Sequence, residues 1–176
     1  RDLHYLRLKP HTMIPYKRHT LSNGLTVAVN RDRQSKLAAV NILYKVGARN
    51  ENPARTGFAH LFEHLMFRGT REIPNFDLPV QMACGDNNAF TNNDYTDFYI
   101  TLPKDNIETA LWLEADRMTG LDISPEALET EKRVVIEEYK QRYLNQPYGD
   151  QGMLLRSLAY TLHPYRWATI GLTPDH

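Results

Sequence analysis

The sequence predicts an α+β fold, and three features of its residue pattern support that prediction. Segments rich in β-branched and aromatic residues, typical of strands, occupy much of the first 103 residues. Apolar helical segments interrupt them, and only helical segments follow Pro103. Strands, helix, strands and then consecutive helices form the pattern of an α+β protein.

The chain is expected to open with a small sheet. Residues 16–21 and 25–29 flank Asn23-Gly24, a dipeptide that tolerates positive φ and is the strongest short-range signal of a β-hairpin. Residues 38–46 follow as an apolar, β-branched run that predicts a central strand.

The middle of the chain combines helices with a second pair of strands. Residues 57–67 are dense in Leu, Phe and Met and predict a mostly buried helix. Arg68 and Arg71, which follow it, are expected to be solvated loop charges. A shorter helix is expected at 76–83, and the Thr-, Tyr- and Phe-rich residues 88–101 predict two strands around a turn.

A helix is expected to begin at Asp105 or Asn106 and to run through Met118, before Gly120. Its apolar residues recur with helical spacing at Ile107, Leu111, Ala115 and Met118.

Two more helices are expected before the end of the chain. Ser124 and Pro125 form an N-cap and first-turn pair for a helix that can run to about residue 144. Residues 148–162 predict the last helix, which ends before Pro164.

Composition excludes several classes of protein. The 176 residues include 21 Lys+Arg and 21 Asp+Glu, so no broad basic surface for nucleic acid is expected. Hydrophobic residues make up 41% and charged residues 24%, which is typical of a globular domain. Apolar stretches are far shorter than the roughly 20 residues of a membrane span, and Cys84 is the single cysteine. We therefore expect neither a nucleic-acid nor a membrane partner.

Length predicts one domain, at about 150 residues per domain. Residues 1–15 are interpreted as an N-terminal extension and 16–176 as the domain, which we expect to continue beyond its last residue. Met13 resembles a natural start, so residues 1–12 are expected to lie upstream of it. The first residues carry no secretory signal pattern, so a cytoplasmic location is expected. A signal removed before Arg1 would make the periplasm the alternative.

The pentapeptide HLFEH at residues 60–64 contains the candidate metal-binding and catalytic residues. On a helix, His60 and His64 stand one turn apart on one face, where both imidazoles can reach one tetrahedral metal ion. Glu63 is displaced around the helix, where its carboxylate can face water rather than the metal. A zinc ion with three protein ligands keeps a position for water and lowers the pKa of that water toward about 7. The pattern therefore predicts peptide-bond hydrolysis.

The third ligand is expected to be a carboxylate from another element. Glu131 and Glu138 are seven residues apart on the helix that follows Ser124 and share one face, whereas Glu137 is rotated by about 100°. We assign Glu138 as the ligand. Glu131 becomes a candidate to orient a metal ligand or to tune the bound water, without itself binding the metal.

These motifs resemble those of a known family. The order His-x-x-Glu-His is the inverzincin signature, and TGFAHLFEHLMFRGT resembles the active-site helix of the pitrilysin/insulinase zinc peptidases, which include the mitochondrial processing peptidase. The Glu-x6-Glu pair, whose second Glu lies 74 residues after His64, is similar to the family's distal ligand motif. NNAFTNNDYTDFYITLP resembles its Asn-Ala-x-Thr edge strand. The resemblance runs from about Tyr16 to the end of the chain.

The resemblance implies a pitrilysin-type domain, similar to LuxS and the processing peptidases, with a mixed or antiparallel sheet packed by helices. It implies one Zn²⁺ per chain, bound by His60, His64 and Glu138. Glu63 would be the general base, and Glu131 would support the site.

The resemblance also implies a substrate and further protein partners. Asn88 and Ala89 would lie on the edge strand to which an extended peptide adds its own backbone. The function implied is that of a zinc metalloendopeptidase acting on extended peptides or unfolded segments. A homo- or heterodimer, or a further domain, would complete the substrate chamber.

Two alternatives keep the fold but change the function. A non-catalytic scaffold or partner subunit of the same family would lack peptidase activity, although the intact pentapeptide argues against it. A binding module with a structural metal is the other, but such sites are usually closed by four Cys or His ligands, and the chain has one Cys.

Overall fold

A computed structural model describes residues 14–172 of the chain, which forms two compact units divided between Lys36 and Leu37. In the first unit, strand β1 (Lys17–Thr20) pairs antiparallel with β2 (Thr26–Val29). Gly24 has a φ of +89° in the turn between them, a backbone conformation that glycine adopts without strain. The predicted hairpin is therefore confirmed. The predicted extension at 1–15 lies outside the described residues except for its last two.

The second unit contains a three-stranded antiparallel sheet. Its strands are β3 (Leu37–Tyr44), β4 (Asp86–Thr91) and β5 (Thr96–Pro103), in the order β3-β5-β4. The prediction that residues 38–46 form a central strand is wrong for this sheet, because β5 takes the centre and β3 lies at one edge. The reason is topological: β4 and β5 pair as a hairpin, and β3 pairs with the other side of β5.

Within residues 37–172, five α-helices belong to the second unit, close to the expected positions. They are α1 (Phe58–Arg68), α2 (Asp77–Met82), α3 (Ile107–Gly120), α4 (Pro125–Tyr139) and α5 (Gln151–Ala159). The predicted cap on α4 is confirmed, since the Ser124 hydroxyl oxygen accepts a hydrogen bond from the Ala127 backbone N–H at 3.2 Å. A π-turn, Lys140–Leu144, continues α4. The α+β prediction is confirmed. Within residues 14–172, no helix combines the length and apolar character that crossing a bilayer requires.

Two clusters of buried side chains form the core. The larger packs one face of the sheet against α2 and α3 through Val40, Ile73, Phe76, Val80, Ala83, Ile100, Leu102, Ala110 and Leu113. The smaller packs α1 against α4 and includes Leu61, Leu65, Ala127, Val135, Ala168 and Ile170. The second cluster fixes how α1 and α4 face each other, and this packing positions the site described below.

The buried face of α3 is polar as well as apolar. The apolar residues whose spacing predicted this helix lie on its solvent-exposed side. Leu111, for example, is 52% exposed. Glu114 and Arg117 are buried instead and form an ion pair. The Arg117 guanidinium stacks over the rings of Phe76 and Phe98 at 4.5 and 4.3 Å. Cation–π stacking and the Glu114 partner offset the cost of burying the charge.

Candidate metal centre

The first turn of α1 is held by a side chain from the preceding loop. Gly57, at the N-cap with a φ of +91°, has no side chain to cap the helix. The Glu51 carboxylate accepts hydrogen bonds from the backbone N–H groups of Gly57 and Ala59 at 2.9 and 2.8 Å. An anion at a helix N-terminus satisfies these donors and interacts favourably with the helix dipole. The start of the helix that carries HLFEH is therefore fixed.

The two histidines of α1 meet a carboxylate of α4. The rings of His60 and His64 lie 4.7 Å apart between centroids, one helical turn from each other. Glu138 Oε2 lies 3.6 Å from His60 Nε2 and 3.2 Å from His64 Nε2. One potential ligand atom from each residue lies within 4.8 Å of the other two. Packing of α1 on α4 thus brings together three residues that the sequence places on two separate helices.

This arrangement fits a zinc ion. Two donor atoms that bind one zinc at about 2.0–2.1 Å and at a tetrahedral angle stand about 3.3–3.4 Å apart. The two His-to-Glu138 distances, 3.6 and 3.2 Å, are close to that separation. Two imidazoles and one carboxylate are also a donor set typical of catalytic zinc, in which a fourth position stays open.

Charge complementarity already links these groups. A hydrogen bond with Glu138 raises the pKa of His64, and the same contact lowers the pKa of the Glu138 carboxyl below its ordinary value. Both shifts describe one favourable imidazolium–carboxylate pair. Because zinc binds a neutral imidazole, a metal ion must displace the proton that this pair stabilises.

Glu63 lies beside the three candidate ligands, but its carboxylate makes a different contact. It is half-buried, and it accepts a hydrogen bond from the Thr91 hydroxyl at the end of β4. Burial raises the pKa of the Glu63 carboxyl, and the Thr91 hydrogen bond opposes that shift in part. A carboxylate with a raised pKa is a better proton acceptor than an ordinary surface glutamate.

Glu131 lies behind His64. Its Oε2 is 3.7 Å from His64 Nδ1, and its Oε1 is 3.5 Å from Nη1 of Arg68. The expectation that Arg68 is a solvated loop charge is therefore wrong, because Arg68 is the last residue of α1 and faces α4. Glu137 points elsewhere and pairs with Lys140 at 2.6 Å. The helix rotation between Glu137 and Glu138 thus separates a surface ion pair from the candidate metal centre.

The second oxygen of Glu138 has its own partner. Arg142 Nη1 lies 3.1 Å from Glu138 Oε1, while Oε2 faces the histidines. Arg142 belongs to the π-turn after α4, a distortion frequent at functional sites. Holding Oε1 in this way favours binding of a metal through Oε2 alone.

The predicted substrate strand lies at an edge of the sheet. Strand β4 pairs with β5 on one side, and Asn88 and Ala89 lie in its middle. The Asn88 side chain is exposed, and its Oδ1 accepts a hydrogen bond from the Ala89 backbone N–H at 2.8 Å. An added peptide strand that uses this N–H would have to displace the Asn88 side chain.

An apolar cavity of about 410 Å³ opens beside Glu63. Its lining includes the rings of Tyr44, Phe58, Phe62 and Phe98. The cavity can take an apolar side chain next to the carboxylate.

The structure brings together the histidines and glutamates that the sequence singled out, but the sequence did not indicate the contacts that Thr91, Arg142 and Arg68 make with these glutamates, or the hydrogen bonds of Glu51 to the start of α1. Arg142 lies four residues after Glu138, a helical spacing that could have revealed it. The other contacts join residues from separate elements, and no spacing in the sequence signals them.

Comparison with known proteins supports one family. Residues 26–166 match the family model described as insulinase, peptidase family M16. The zinc protease PqqE of Helicobacter pylori is 36% identical over 159 residues, which are 89% of this chain and 36% of that protein. A probable mitochondrial-processing peptidase subunit beta of Schizosaccharomyces pombe is 31% identical over 86% of this chain and 34% of its own length.

A solved structure has the same fold. The crystal structure of a protease from Helicobacter pylori superposes with a TM-score of 0.88 and 34% sequence identity, over 93% of this chain and 40% of that one. The chain therefore spans a little over a third of the length of these relatives.

Proposed function

The chain belongs to the insulinase family of zinc peptidases, peptidase family M16, and on that basis we propose that it carries the catalytic zinc site of an endopeptidase that hydrolyses extended peptides or unfolded segments. The observation that carries the proposal is the meeting of His60, His64 and Glu138, whose candidate ligand atoms lie within 4.8 Å of one another. The Glu63 carboxylate is near enough to interact electrostatically with His64 and Glu138. Relatives named as zinc proteases support zinc as the metal. We propose one zinc per chain.

Each residue has a separate task in this proposal. His60, His64 and Glu138 would hold the metal, which when bound polarises a carbonyl and lowers the pKa of water toward about 7. The Glu63 carboxylate accepts a proton from the attacking water. It then passes that proton to the nitrogen of the leaving amine. Glu131 and Arg142 keep His64 and Glu138 oriented.

The exposed edge of β4 supports an extended substrate. An extended peptide can pair with a sheet edge through main-chain hydrogen bonds, which are largely independent of its sequence. We propose that Asn88 and Ala89 contribute to this pairing and that the cavity beside Glu63 receives a substrate side chain.

A further domain or a second subunit completes the substrate chamber in this proposal. The chain spans about a third of its relatives, and one of them is named as a subunit. A homodimer or a heterodimer would serve equally. A cytoplasmic location stays a prediction that cell fractionation can check, with the periplasm as its alternative.

The test is Glu63→Gln in the full-length protein, with Glu129→Gln as the matched control on an exposed side chain of α4. We expect Glu63→Gln to abolish peptide hydrolysis while zinc content, measured by elemental mass spectrometry, stays near wild type. Glu129→Gln should leave both unchanged. Hydrolysis that survives in Glu63→Gln would refute the assignment of the base.

Zinc content also separates this function from a scaffold. Wild-type protein should contain about one zinc per chain, and Glu138→Ala should lose most of it. A wild-type protein that holds zinc but cleaves no peptide, or holds no zinc at all, would favour the non-catalytic alternative.

A further inference from the structure

We propose that Thr91 is a positioning residue that holds the Glu63 carboxylate in its reactive orientation. The inference rests on the proposed function, in which Glu63 moves the proton. Thr91 ends β4, and its hydroxyl donates to Glu63 Oε2 on α1. Within residues 14–172, this is the only hydrogen bond that the Glu63 side chain makes. The orientation of the carboxylate therefore depends on one hydroxyl from another element.

A glutamate in this position needs such a restraint. Long side chains such as Glu lose more rotamer freedom on being fixed than most others. Misplacement of a reacting group by about 1 Å can cost a rate factor on the order of 100. Thr91 holds Oε2, so Oε1 stays available to face the reactants.

The Thr91 side chain packs against a second, buried threonine on the neighbouring strand. Thr91 lies directly opposite Thr96 in the β4–β5 ladder, and their hydroxyl oxygens are 3.3 Å apart. The Thr96 hydroxyl donates to the Val46 backbone carbonyl at 3.0 Å. Thr96 is 7% exposed, so solvent does not compete strongly for these contacts. Each hydroxyl has one proton, which Thr91 donates to Glu63 and Thr96 donates to Val46, so the two threonine side chains are in contact without a hydrogen bond between them.

The turn that joins the two strands is fixed as well. Asn92 Oδ1 accepts hydrogen bonds from the backbone N–H groups of Asp94 and Tyr95 at 2.8 and 2.9 Å. The Asp94 carboxylate accepts from the Tyr165 hydroxyl and pairs with Arg49 at 2.9 Å. Contacts with two other segments, through Arg49 and Tyr165, therefore anchor the turn that follows Thr91.

The experiment compares Thr91→Val, which removes the hydroxyl but keeps the β-branched shape, with Thr91→Ser, which keeps the hydroxyl. Both are made in the full-length protein and assayed with an unstructured peptide substrate. Thr91→Val should lower kcat by about 10- to 100-fold with KM within about twofold of wild type. Thr91→Ser should recover kcat to within about threefold of wild type. Zinc content should be unchanged in both variants.

Thr101→Val is the matched control, since Thr101 lies on the neighbouring strand β5 and alternates with the buried Ile100 and Leu102 toward the opposite face of the sheet. It should leave kcat at the wild-type value. If Thr91→Val does not fold, Thr91→Ala replaces it in the comparison with Thr91→Ser.

Three results would overturn the positioning role. The first is wild-type kcat in Thr91→Val. The second is an equal loss of kcat in Thr91→Val and Thr91→Ser, which would indicate a structural effect on the strand. The third is a loss of activity that parallels a loss of zinc. The proposed function is tested separately by Glu63→Gln. If Glu63→Gln is inactive while one of these three results is found, the positioning role of Thr91 fails and the proposed function stands.

Discussion

Replacing Glu131 by glutamine should weaken zinc binding without removing a ligand. Glutamine keeps the shape of the side chain but loses its charge. Glu131 Oε2 lies 3.7 Å from His64 Nδ1, on the ring edge away from Glu138, and its side chain is 15% exposed. A carboxylate in this position orients the imidazole and makes it more basic toward the metal.

The contact distances of Glu131 set the expected size of the loss in zinc affinity. Residues that orient metal ligands are typically worth about 10- to 100-fold in affinity. Both Glu131 contacts, at 3.7 Å to His64 and 3.5 Å to Arg68, are longer than a good N–H···O hydrogen bond. We therefore expect the lower end of that range, about tenfold in the zinc Kd, or about 1.4 kcal/mol.

The assay is competition for zinc against a chromophoric chelator at fixed pH and ionic strength. Glu137→Gln is the control, because Glu137 lies on the same helix but is 64% exposed and contacts Lys140 rather than the site. Its Kd should match wild type. A change below twofold in Glu131→Gln, or an equal change in both variants, would refute the reasoning.

Two further predictions concern protons and buried charge. Glu138 raises the pKa of His64 above its ordinary value of 6.5. Protons should therefore begin to compete with zinc for His64 at a pH above 6.5. Below the raised pKa of His64, the zinc affinity should fall by about tenfold for each pH unit. Chelator competition between pH 8 and 6 measures this, and a constant Kd would contradict it. Glu114→Gln should lower the free energy of unfolding by about 3–5 kcal/mol because Arg117 would stay buried without its anion, whereas the double change Glu114→Leu/Arg117→Met should cost far less. Chemical denaturation of both variants measures their free energies of unfolding. A decrease below about 1 kcal/mol in Glu114→Gln would contradict the argument that Arg117 needs its buried partner.

Local patterns predicted most of the elements. Asn23-Gly24 marked the hairpin, and Ser124-Pro125 marked the start of α4, because turns and caps depend on residues only a few positions apart. The order of strands in the sheet was harder to predict. An apolar, β-branched run suits a central strand, but β5 took the centre because both of its neighbours pair with it.

The prediction for α3 shows where periodicity misleads. Helical spacing of Ile107, Leu111 and Met118 correctly indicated a helix, but that stripe lies on the exposed side. Glu114 and Arg117 are buried because their ion pair and two aromatic rings compensate for the lost hydration. The hydrophobic pattern of α3 alone cannot indicate that aromatic rings from other elements will offset the cost of burying a charged side chain.

The sequence by itself predicted which residues make up the candidate metal centre. His60 and His64 share a helix face at any location of that helix, and Glu138 is separated from Glu137 by rotation alone, because helical geometry is local. Only the tertiary structure decided that α4 brings Glu138 to 3.2 Å from His64, that Arg68 meets Glu131, and that Thr91 holds Glu63. These contacts join residues up to 74 positions apart, and they exist because buried apolar faces fix how helices and strands pack, which no short segment of the chain encodes alone.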